Sequence, residues 1–145
     1  MIASVLAVAV VIFLVEKRRN CPLPAIGDES DRFIVTGYCN CGRCCSWRYK
    51  WFFFGEPVYT YGKMKGKPKK VGMTSSGKKA RHGTVAADLS VLPYGTKLNI
   101  PGYGYGVVED VGGAIKGRHI DVWFPTHTQA RLWGRRYLKI TRVEK

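Results

Sequence analysis

The chain offers few carboxylates that could do chemistry, since only 10 of its 145 residues are Asp or Glu. Three aspartates stand out within residues 83–124, where Asp88 and Asp110 each end a β-type run and Asp121 lies inside a third run. Apolar residues alternate around Asp121, so a strand here turns it away from the apolar face and places it on the same side as Trp123. A carboxyl group beside an indole is poorly solvated, which raises its pKa. Asp121 is therefore the candidate general acid.

Four cysteines form a second group that could do chemistry: Cys39, Cys41, Cys44 and Cys45. The Cys41-x-x-Cys44 spacing is typical of zinc ligands, whereas an exported domain favours disulfides. Because the geometry of a bond between adjacent cysteines is unfavourable, two disulfides would pair Cys39 and Cys41 with Cys44 and Cys45. We predict disulfides and no bound metal, with zinc as the alternative. Either role is structural.

The charge balance points to an anionic partner without identifying it. With 24 Lys and Arg, the chain has a formal net charge of +14, and such a field attracts nucleic acid, anionic lipid or the acidic bacterial wall. Solubility alone is an equally good explanation of a basic surface. Hydrophobic residues make up 46% and charged residues 23%, which is typical of a globular protein and excludes a largely disordered one.

The chain divides into three segments. Residues 1–19 contain an uncharged apolar run, Ile2–Val15, which is shorter than the ~20 residues of a spanning helix and suits a signal-peptide core or a signal anchor. We expect this run to direct export or to attach the protein to a membrane; a buried core helix is the alternative. Residues 20–31, with two prolines, a glycine and three acids, are typical of a linker. The folded domain should occupy residues 32–145.

Six short β-type runs, broken by Gly and Pro, predict a small and mainly β barrel. They are Arg32–Tyr38, Val85–Asp88, Thr96–Ile100, Tyr105–Asp110, His119–Phe124 and Tyr137–Val143. One short helix is predicted at Thr126–Trp133, because Thr126 and Gln129 have capping-box spacing and Gly134 supplies a C-terminal stop.

An insertion rich in aromatic residues and lysine covers about residues 46–70. It holds eight aromatic residues between Trp47 and Tyr61, and five lysines follow up to Lys70. Aromatic rings stack on sugars as they do on bases, so this segment could contact a glycan. The interpretation that we favour is a hairpin that packs its own rings and leaves its lysines in water.

Several stretches of the chain resemble a known family. They are Ala87-Asp88, Leu92–Thr96, Ile100–Gly104, Glu109–Gly117 and Ile120–Val122, with Val35–Tyr38 and Thr74–Gly77 as looser extensions. The pattern is similar to the three-aspartate (3D) domain, which is shared by stationary-phase survival-type muralytic proteins and membrane-bound lytic transglycosylase A. The cysteine cluster and the insertion at 46–70 depart from the common core of that family.

The resemblance implies a six-stranded double-psi β-barrel with a glycan groove. It also implies an enzyme that cleaves peptidoglycan between N-acetylmuramic acid and N-acetylglucosamine and leaves 1,6-anhydro ends. Asp121 would be the catalytic acid and then the base, while Asp110 and Asp88 shape the site. We expect substrate contacts from five further residues: Lys116, Thr74, Gly112, Gly113 and Trp123.

We therefore expect a monomeric, cofactor-free lytic transglycosylase of the cell envelope, whose partner is the peptidoglycan glycan strand. A non-catalytic cell-wall polysaccharide binder on the same barrel is the main alternative, because one fold supports both roles. A nucleic-acid binder would use the charge and the aromatic residues but not the aspartates. The export signal counts against that third function, so we expect no nucleic-acid partner.

Overall fold

A computed structural model describes residues 32–52 and 54–143 of the chain. Its helices and strands are β1 Phe33–Tyr38, α1 Gly42–Cys45, β2 Trp47–Trp51, β3 Phe54–Tyr59, β4 Thr84–Ala87, β5 Lys97–Ile100, β6 Gly104–Asp110, β7 His119–Trp123, α2 His127–Trp133, β8 Arg136–Leu138 and β9 Thr141–Arg142. The predicted apolar segment and linker, residues 1–31, lie outside the described residues. Within 32–52 and 54–143, neither helix is long and apolar enough to cross a membrane.

Seven of the strands form one sheet, in the order β8-β1-β7-β4-β6-β5-β9, and β2 pairs with β3 in a separate hairpin. The pairs β1–β7 and β4–β6 are parallel, and β4–β7 between them is antiparallel. The remaining pairs of the large sheet, β1–β8, β5–β6 and β5–β9, are antiparallel as well. The prediction of a mainly β domain is confirmed.

The core lies on one face of this sheet and follows the predicted alternation. Ile120 and Val122 on β7 are fully buried, while the residues that alternate with them, His119, Asp121 and Trp123, are only half-buried. Trp133 at the end of α2 joins the same core and lies near Tyr103 and Phe124, with ring centroids 6.0 and 5.7 Å away. Burial of these apolar side chains is the main force that holds the sheet against the helix. Asp121 consequently lies on the opposite face.

Five of the six predicted β runs form single strands, β1 and β4 to β7. The prediction is wrong for Tyr137–Val143, which splits into β8 and β9. The two parts pair with strands far apart in the sheet, β8 with β1 and β9 with β5. The chain must therefore break between them, and the sheet has seven strands rather than six, with β8 and β9 at its edges.

The predicted helix is confirmed as α2, and its cap is the one expected. Thr126 has an extended backbone, and its Oγ1 accepts a hydrogen bond from the Gln129 N–H at 3.2 Å. Gly134 ends the helix with a φ of +68°, a conformation that glycine adopts without strain. The four-residue helix α1 was not predicted, because it is too short to show a helical period and two of its residues belong to the cysteine cluster.

The insertion forms the β2–β3 hairpin and the loop after it. Trp47 and Tyr49 pack edge-to-face with centroids 5.4 Å apart, as a self-packed hairpin requires. At the tip, however, Trp51 is 68% exposed and Phe52 is 93% exposed. The prediction that the hairpin packs its own rings is therefore wrong at the tip.

Candidate functional site

A cavity of about 430 Å³ opens on the polar face of the sheet, within the ~300–1,000 Å³ range of typical ligand sites. Residues of β4, β6 and β7 contribute to it, as do the loop around Thr74, the turn after β6 and the loop that follows β3. The residues that line the cavity include Tyr38, Asn40, Cys44, Cys45, Tyr59, Tyr61, Lys63, Lys69, Thr74, Ser75, Ala86, Asp110 and Asp121, together with Gly112 and Gly113.

The sheet register sets the distance between the two aspartates in this cavity. Ala86 on β4 is opposite Asp110 on β6 and also opposite Asp121 on β7. Thr36 on β1 continues the row on the far side of Asp121. Because neighbouring strands are about 4.8 Å apart, the backbones of the two aspartates are about 10 Å apart. The small side chain of Ala86 leaves the space between the two carboxylates open.

Asp121 is half-buried in the cavity wall. The Thr36 hydroxyl donates a hydrogen bond to its Oδ1 at 3.0 Å. Burial raises the pKa of Asp121 to about 6, and the negative charge of Asp110 adds to the rise, while the Thr36 hydrogen bond opposes it. A carboxyl group with this pKa exchanges its proton near neutral pH, which is the property of a general acid and base.

His119 lies behind Thr36 and away from the cavity lining. The Thr36 Oγ1 is 2.9 Å from the His119 Nε2. Burial lowers the pKa of His119, and the positive charge of Arg135 lowers it further. His119 is therefore within hydrogen-bond distance of the hydroxyl that supports Asp121.

Asp110 is bound far more firmly than Asp121. Its Oδ1 accepts hydrogen bonds from the backbone N–H of Ser75, the hydroxyl of Ser75 and the backbone N–H of Val111, each at 2.9 Å. Its Oδ2 accepts one from the Tyr38 hydroxyl at 3.1 Å. Burial, followed by the charge of Asp110, raises the pKa of Tyr38, so this phenol keeps its proton and remains a donor. Four donors hold the carboxylate of Asp110 in one orientation.

Thr74 lines the cavity, but its hydroxyl serves the loop to which it belongs. Its Oγ1 donates to the Lys78 carbonyl at 3.0 Å and accepts from the Lys78 N–H at 3.1 Å. Lys78 in turn forms an ion pair with Glu109 at 2.9 Å, and Glu109 is 4% exposed. Thr74 therefore shapes the loop that presents Ser75 to Asp110.

The glycine pair after β6 lines the cavity as predicted. A Cβ on Gly112 would lie 2.6 Å from the Ile115 side chain, and one on Gly113 would lie 3.1 Å from the Tyr61 hydroxyl. A larger residue at Gly112 would therefore displace Ile115, whereas one at Gly113 would require only a small movement of the exposed Tyr61 side chain. The turn brings the backbone of residues 112–113 against the insertion.

Three predicted site residues do not line the cavity: Asp88, Lys116 and Trp123. Asp88 accepts hydrogen bonds from the Gly117 N–H at 2.8 Å and from the Ser90 N–H and hydroxyl at 3.1 and 2.8 Å. The Gly117 bond, followed by those from Ser90, lowers the pKa of Asp88 to about 2. Lys116 is exposed and near Asp88. The Trp123 Nε1–H donates to the Asn40 Oδ1 at 2.8 Å, and it is Asn40 that lines the cavity.

Sequence reasoning missed the donors around the aspartates. Tyr38 and Ser75 bond to Asp110, Thr36 bonds to Asp121, and Tyr94 donates to the Ser75 Oγ at 2.9 Å. Tyr38, Ser75 and Thr36 fall within the two stretches that matched the 3D pattern only loosely. That loose match was the signal from which these donors could have been found.

The cysteine cluster differs from the prediction. All four cysteines of the cluster are free thiols, so the predicted disulfides are not formed in this structure. The Sγ atoms of Cys39 and Cys44 are 3.8 Å apart, and the Sγ of Cys45 instead points to the Cys39 carbonyl at 3.1 Å. In the helical turn α1, Cys44 faces the Cys39 thiol and Cys45 faces the Cys39 carbonyl, an arrangement that a linear spacing does not reveal.

These observations define a mainly β domain with a carboxylate-bearing cleft on the polar face of its sheet. Residues 83–144 match the family model described as the 3D domain. The resemblance drawn from the aspartate motifs is confirmed over these residues.

Two relatives from Bacillus subtilis share this region. YabE, named for a role in shaping the cell wall, is 46% identical over 56 residues, which are 39% of this chain and 14% of YabE. The cell wall-binding protein YocH is 40% identical over 67 residues, which are 43% of this chain and 23% of YocH. The chain thus spans less than a quarter of either relative.

Among solved structures, the chain is similar to the lytic transglycosylase MltA of Escherichia coli. The identity is 26% and the TM-score is 0.43, over 54% of this chain and 29% of that one. The MltA structure with bound chitohexaose has an identity of 24% and a TM-score of 0.42 over the same shares.

Proposed function

We propose that this protein is a peptidoglycan lytic transglycosylase that cleaves the bond between N-acetylmuramic acid and N-acetylglucosamine and leaves 1,6-anhydro-muramic ends. The observation that carries the proposal is the state of Asp121. This carboxyl group lies half-buried in the wall of a sugar-sized cavity, and its pKa of about 6 allows it to give and take a proton near neutral pH.

The proposed reaction needs one proton-transferring carboxyl group. Asp121 in its protonated form donates its proton to the glycosidic oxygen, and the bond from that oxygen to C1 of the muramic acid breaks. The 6-hydroxyl of the same sugar attacks C1, and the resulting Asp121 carboxylate accepts the hydroxyl proton. The acid is regenerated, no water is consumed, and the nucleophile is already held next to C1 by the sugar itself. Glycosidases that use water or a covalent intermediate require two carboxyl groups in the reaction.

The surroundings of Asp110 support a positioning role for this residue. Four donors on its two oxygens hold this carboxylate in one orientation. Its charge nevertheless raises the pKa of Asp121. Asp88 lies outside the cavity and, in this proposal, holds the turn that precedes β7.

Aromatic and basic side chains at the cavity support a wall glycan as the substrate. Tyr59 and Tyr61 can stack on sugar faces, while Lys63 and Lys69 carry positive charge beside the same opening. The carboxylates of the peptide stems and wall polymers of peptidoglycan suit such charge. The contacts that we propose for Lys116, Gly112 and Gly113 extend this surface, and Trp123 contributes through Asn40.

The family match and the names of the relatives agree with a function at the cell wall. We extend the proposal to a monomer of the cell envelope that acts without a cofactor and is attached or exported through residues 2–15. The two parallel strand pairs β1–β7 and β4–β6, joined by antiparallel β4–β7, support the double-psi arrangement that the 3D resemblance implies.

The test is mass spectrometry of the sugars released from purified peptidoglycan by the full chain. We expect products that end in 1,6-anhydro-muramic acid. Products with ordinary reducing ends would show a water-using glycosidase instead. A folded protein that binds peptidoglycan and releases nothing would support the alternative, a wall polysaccharide-binding domain, which the name of YocH favours.

A further inference from the structure

A group of side chains that adjoins the cavity at Cys44 has no part in the proposed reaction. It consists of Cys39, Cys41, Cys44 and His127, and one candidate ligand atom from each lies within 4.8 Å of all the others. We propose that these four residues bind a structural zinc ion.

The distances among these atoms fit a tetrahedral zinc ion. Zinc bonds to sulfur at about 2.3 Å and to imidazole nitrogen at about 2.0–2.1 Å, so a tetrahedron places two sulfurs about 3.8 Å apart and a sulfur and a nitrogen about 3.6 Å apart. The Sγ atoms of Cys39 and Cys44 are 3.8 Å apart. The His127 Nδ1 is 3.5 Å from the Cys41 Sγ and 3.4 Å from the Cys44 Sγ. Three measured edges therefore match the expected polyhedron.

The donor set also separates zinc from a disulfide framework. A disulfide holds its sulfurs at about 2.05 Å, and no pair in this group is near that distance. Two disulfides would require Cys45, yet its Sγ points to a backbone carbonyl. The nitrogen of His127, 83 residues from Cys44, has no role in a disulfide. The sequence spacing Cys-x-Cys-x-x-Cys alone did not include the histidine.

The ion would join two parts of the domain that meet at β1. The three cysteines follow the end of β1 and enter α1, whereas His127 is the first residue of α2. α2 packs on β1 so closely that a Cβ on Gly37 would lie 3.0 Å from the Ala130 carbonyl. With four protein ligands the site is closed, so the ion is structural rather than catalytic. Because Cys44 also lines the cavity, the ion would fix the wall of the candidate site.

The test is metal analysis of the full chain, isolated without chelator, together with four variants. We expect one zinc per chain in the unsubstituted protein. Cys44→Ser and His127→Ala should lose the zinc. Cys45→Ser, which removes the adjacent thiol, and His82→Ala, which removes a histidine outside the group, should retain it. Replacement by Co²⁺ should give the visible absorption of tetrahedral cobalt with thiolate ligands.

A variant that merely fails to fold is distinguished by His127→Cys. This variant restores a fourth ligand, so it should bind zinc again and show stronger thiolate-to-cobalt absorption. Protein without zinc, with a mass that fits two disulfides among these cysteines, would overturn the proposal. So would zinc that Cys44→Ser and His127→Ala leave in place.

Discussion

The two aspartates of the cavity occupy one row of the sheet, yet their surroundings differ. Asp110 lies at the end of β6, where a loop and a turn supply four hydrogen-bond donors. Asp121 lies inside β7, where its strand neighbour Thr36 supplies a side-chain hydrogen bond and burial raises its pKa to about 6. Donors to a carboxylate stabilise its charged form, whereas burial stabilises the neutral form and at Asp121 outweighs the one donor. An aspartate at the end of β6 is thus suited to a positioning role, and an aspartate inside β7 is suited to proton transfer.

Among the changes that test this comparison, Asp121→Asn should have the largest effect on activity. An amide of the same shape can neither protonate the glycosidic oxygen nor accept the 6-hydroxyl proton. We expect the release of anhydro products to fall by roughly 100- to 10,000-fold, the usual contribution of general acid–base catalysis. The measurement is the initial rate of anhydro-muramic product formation from purified peptidoglycan, with affinity for the same material measured in parallel.

Thr36→Val is the matched control for Asp121→Asn. It removes the donor to Asp121 but keeps the carboxyl group, so the loss of rate should be much smaller. A folded Asp121→Asn variant with near-normal product release would remove Asp121 from the mechanism, and Asp110 would become the candidate acid.

The pH dependence of the reaction rate should have the next largest effect and tests the role of Asp121. The acid form of Asp121 is needed to start the reaction, so the rate should be constant below pH 6 and fall about tenfold per pH unit above it. The quantity to measure is kcat/KM for a soluble glycan fragment between pH 5 and 8. A rate that rises across this interval would contradict the role of Asp121 as the acid.

The same pKa predicts a change in the free energy of unfolding. The pKa of Asp121 is raised in the folded state, so its contribution to stability is present below its ordinary pKa of about 4 and is lost as the pH rises through about 6. Asp121→Asn cannot ionise and should gain stability relative to the unsubstituted protein above pH 6, by up to about 3 kcal/mol. Urea unfolding of both proteins at pH 5 and pH 8 measures this difference.

Asp110→Asn should show the opposite balance, because it disturbs a carboxylate that four donors stabilise. The amide NH2 of Asn, which replaces one carboxylate oxygen, is itself a donor, so at least one of the four donors would lose its acceptor. We expect a loss of about 1–3 kcal/mol in the free energy of unfolding, accompanied by reduced activity. Ser75→Ala, which removes one hydroxyl donor and leaves the backbone N–H, is the control and should cost less. An Asp110→Asn variant with full stability and no activity would instead assign this residue to the chemistry.

Local patterns made part of this structure predictable. The period-two alternation around Asp121 correctly placed it on the polar face of β7 with Trp123. The Thr126 cap and the Gly134 stop correctly bounded α2. Each of these signals acts between residues a few positions apart, where strand and helix geometry is fixed by the backbone. The raised pKa of Asp121 was also predicted, although Trp123, to which the prediction attributed it, does not line the cavity.

Contacts between distant residues explain what could not be predicted. Asp110 bonds to Tyr38 and Ser75, which are 72 and 35 positions away. Their identities matter only once β1 and the loop around Thr74 come together in the fold. The break between β8 and β9 has the same origin, since each half pairs with a different edge of the sheet. His127 near the cysteines is a third case, at a separation of 86 residues from Cys41.

Asp88→Asn should have the smallest effect, because this carboxylate does not line the cavity. Two of its hydrogen bonds come from Ser90 within the turn after β4, and the third ties this turn to Gly117, just before β7. The pKa of Asp88 is lowered to about 2, so its contribution to stability is present above its ordinary pKa of about 4 and is lost as the pH falls through about 2. The variant should therefore have a slightly lower melting temperature at pH 7, and the difference should shrink as the pH is lowered.

The matched control is Lys116→Ala, which removes the neighbouring charge and leaves all three bonds in place, so its melting temperature should change less. Thermal unfolding monitored by circular dichroism at pH 7 and pH 3 gives the melting temperatures of both variants, and the rate of product release gives their activity. If Asp88→Asn lowered the rate as far as Asp121→Asn while the melting temperature stayed unchanged, Asp88 would belong to the catalytic group, and its placement outside the cavity would be wrong.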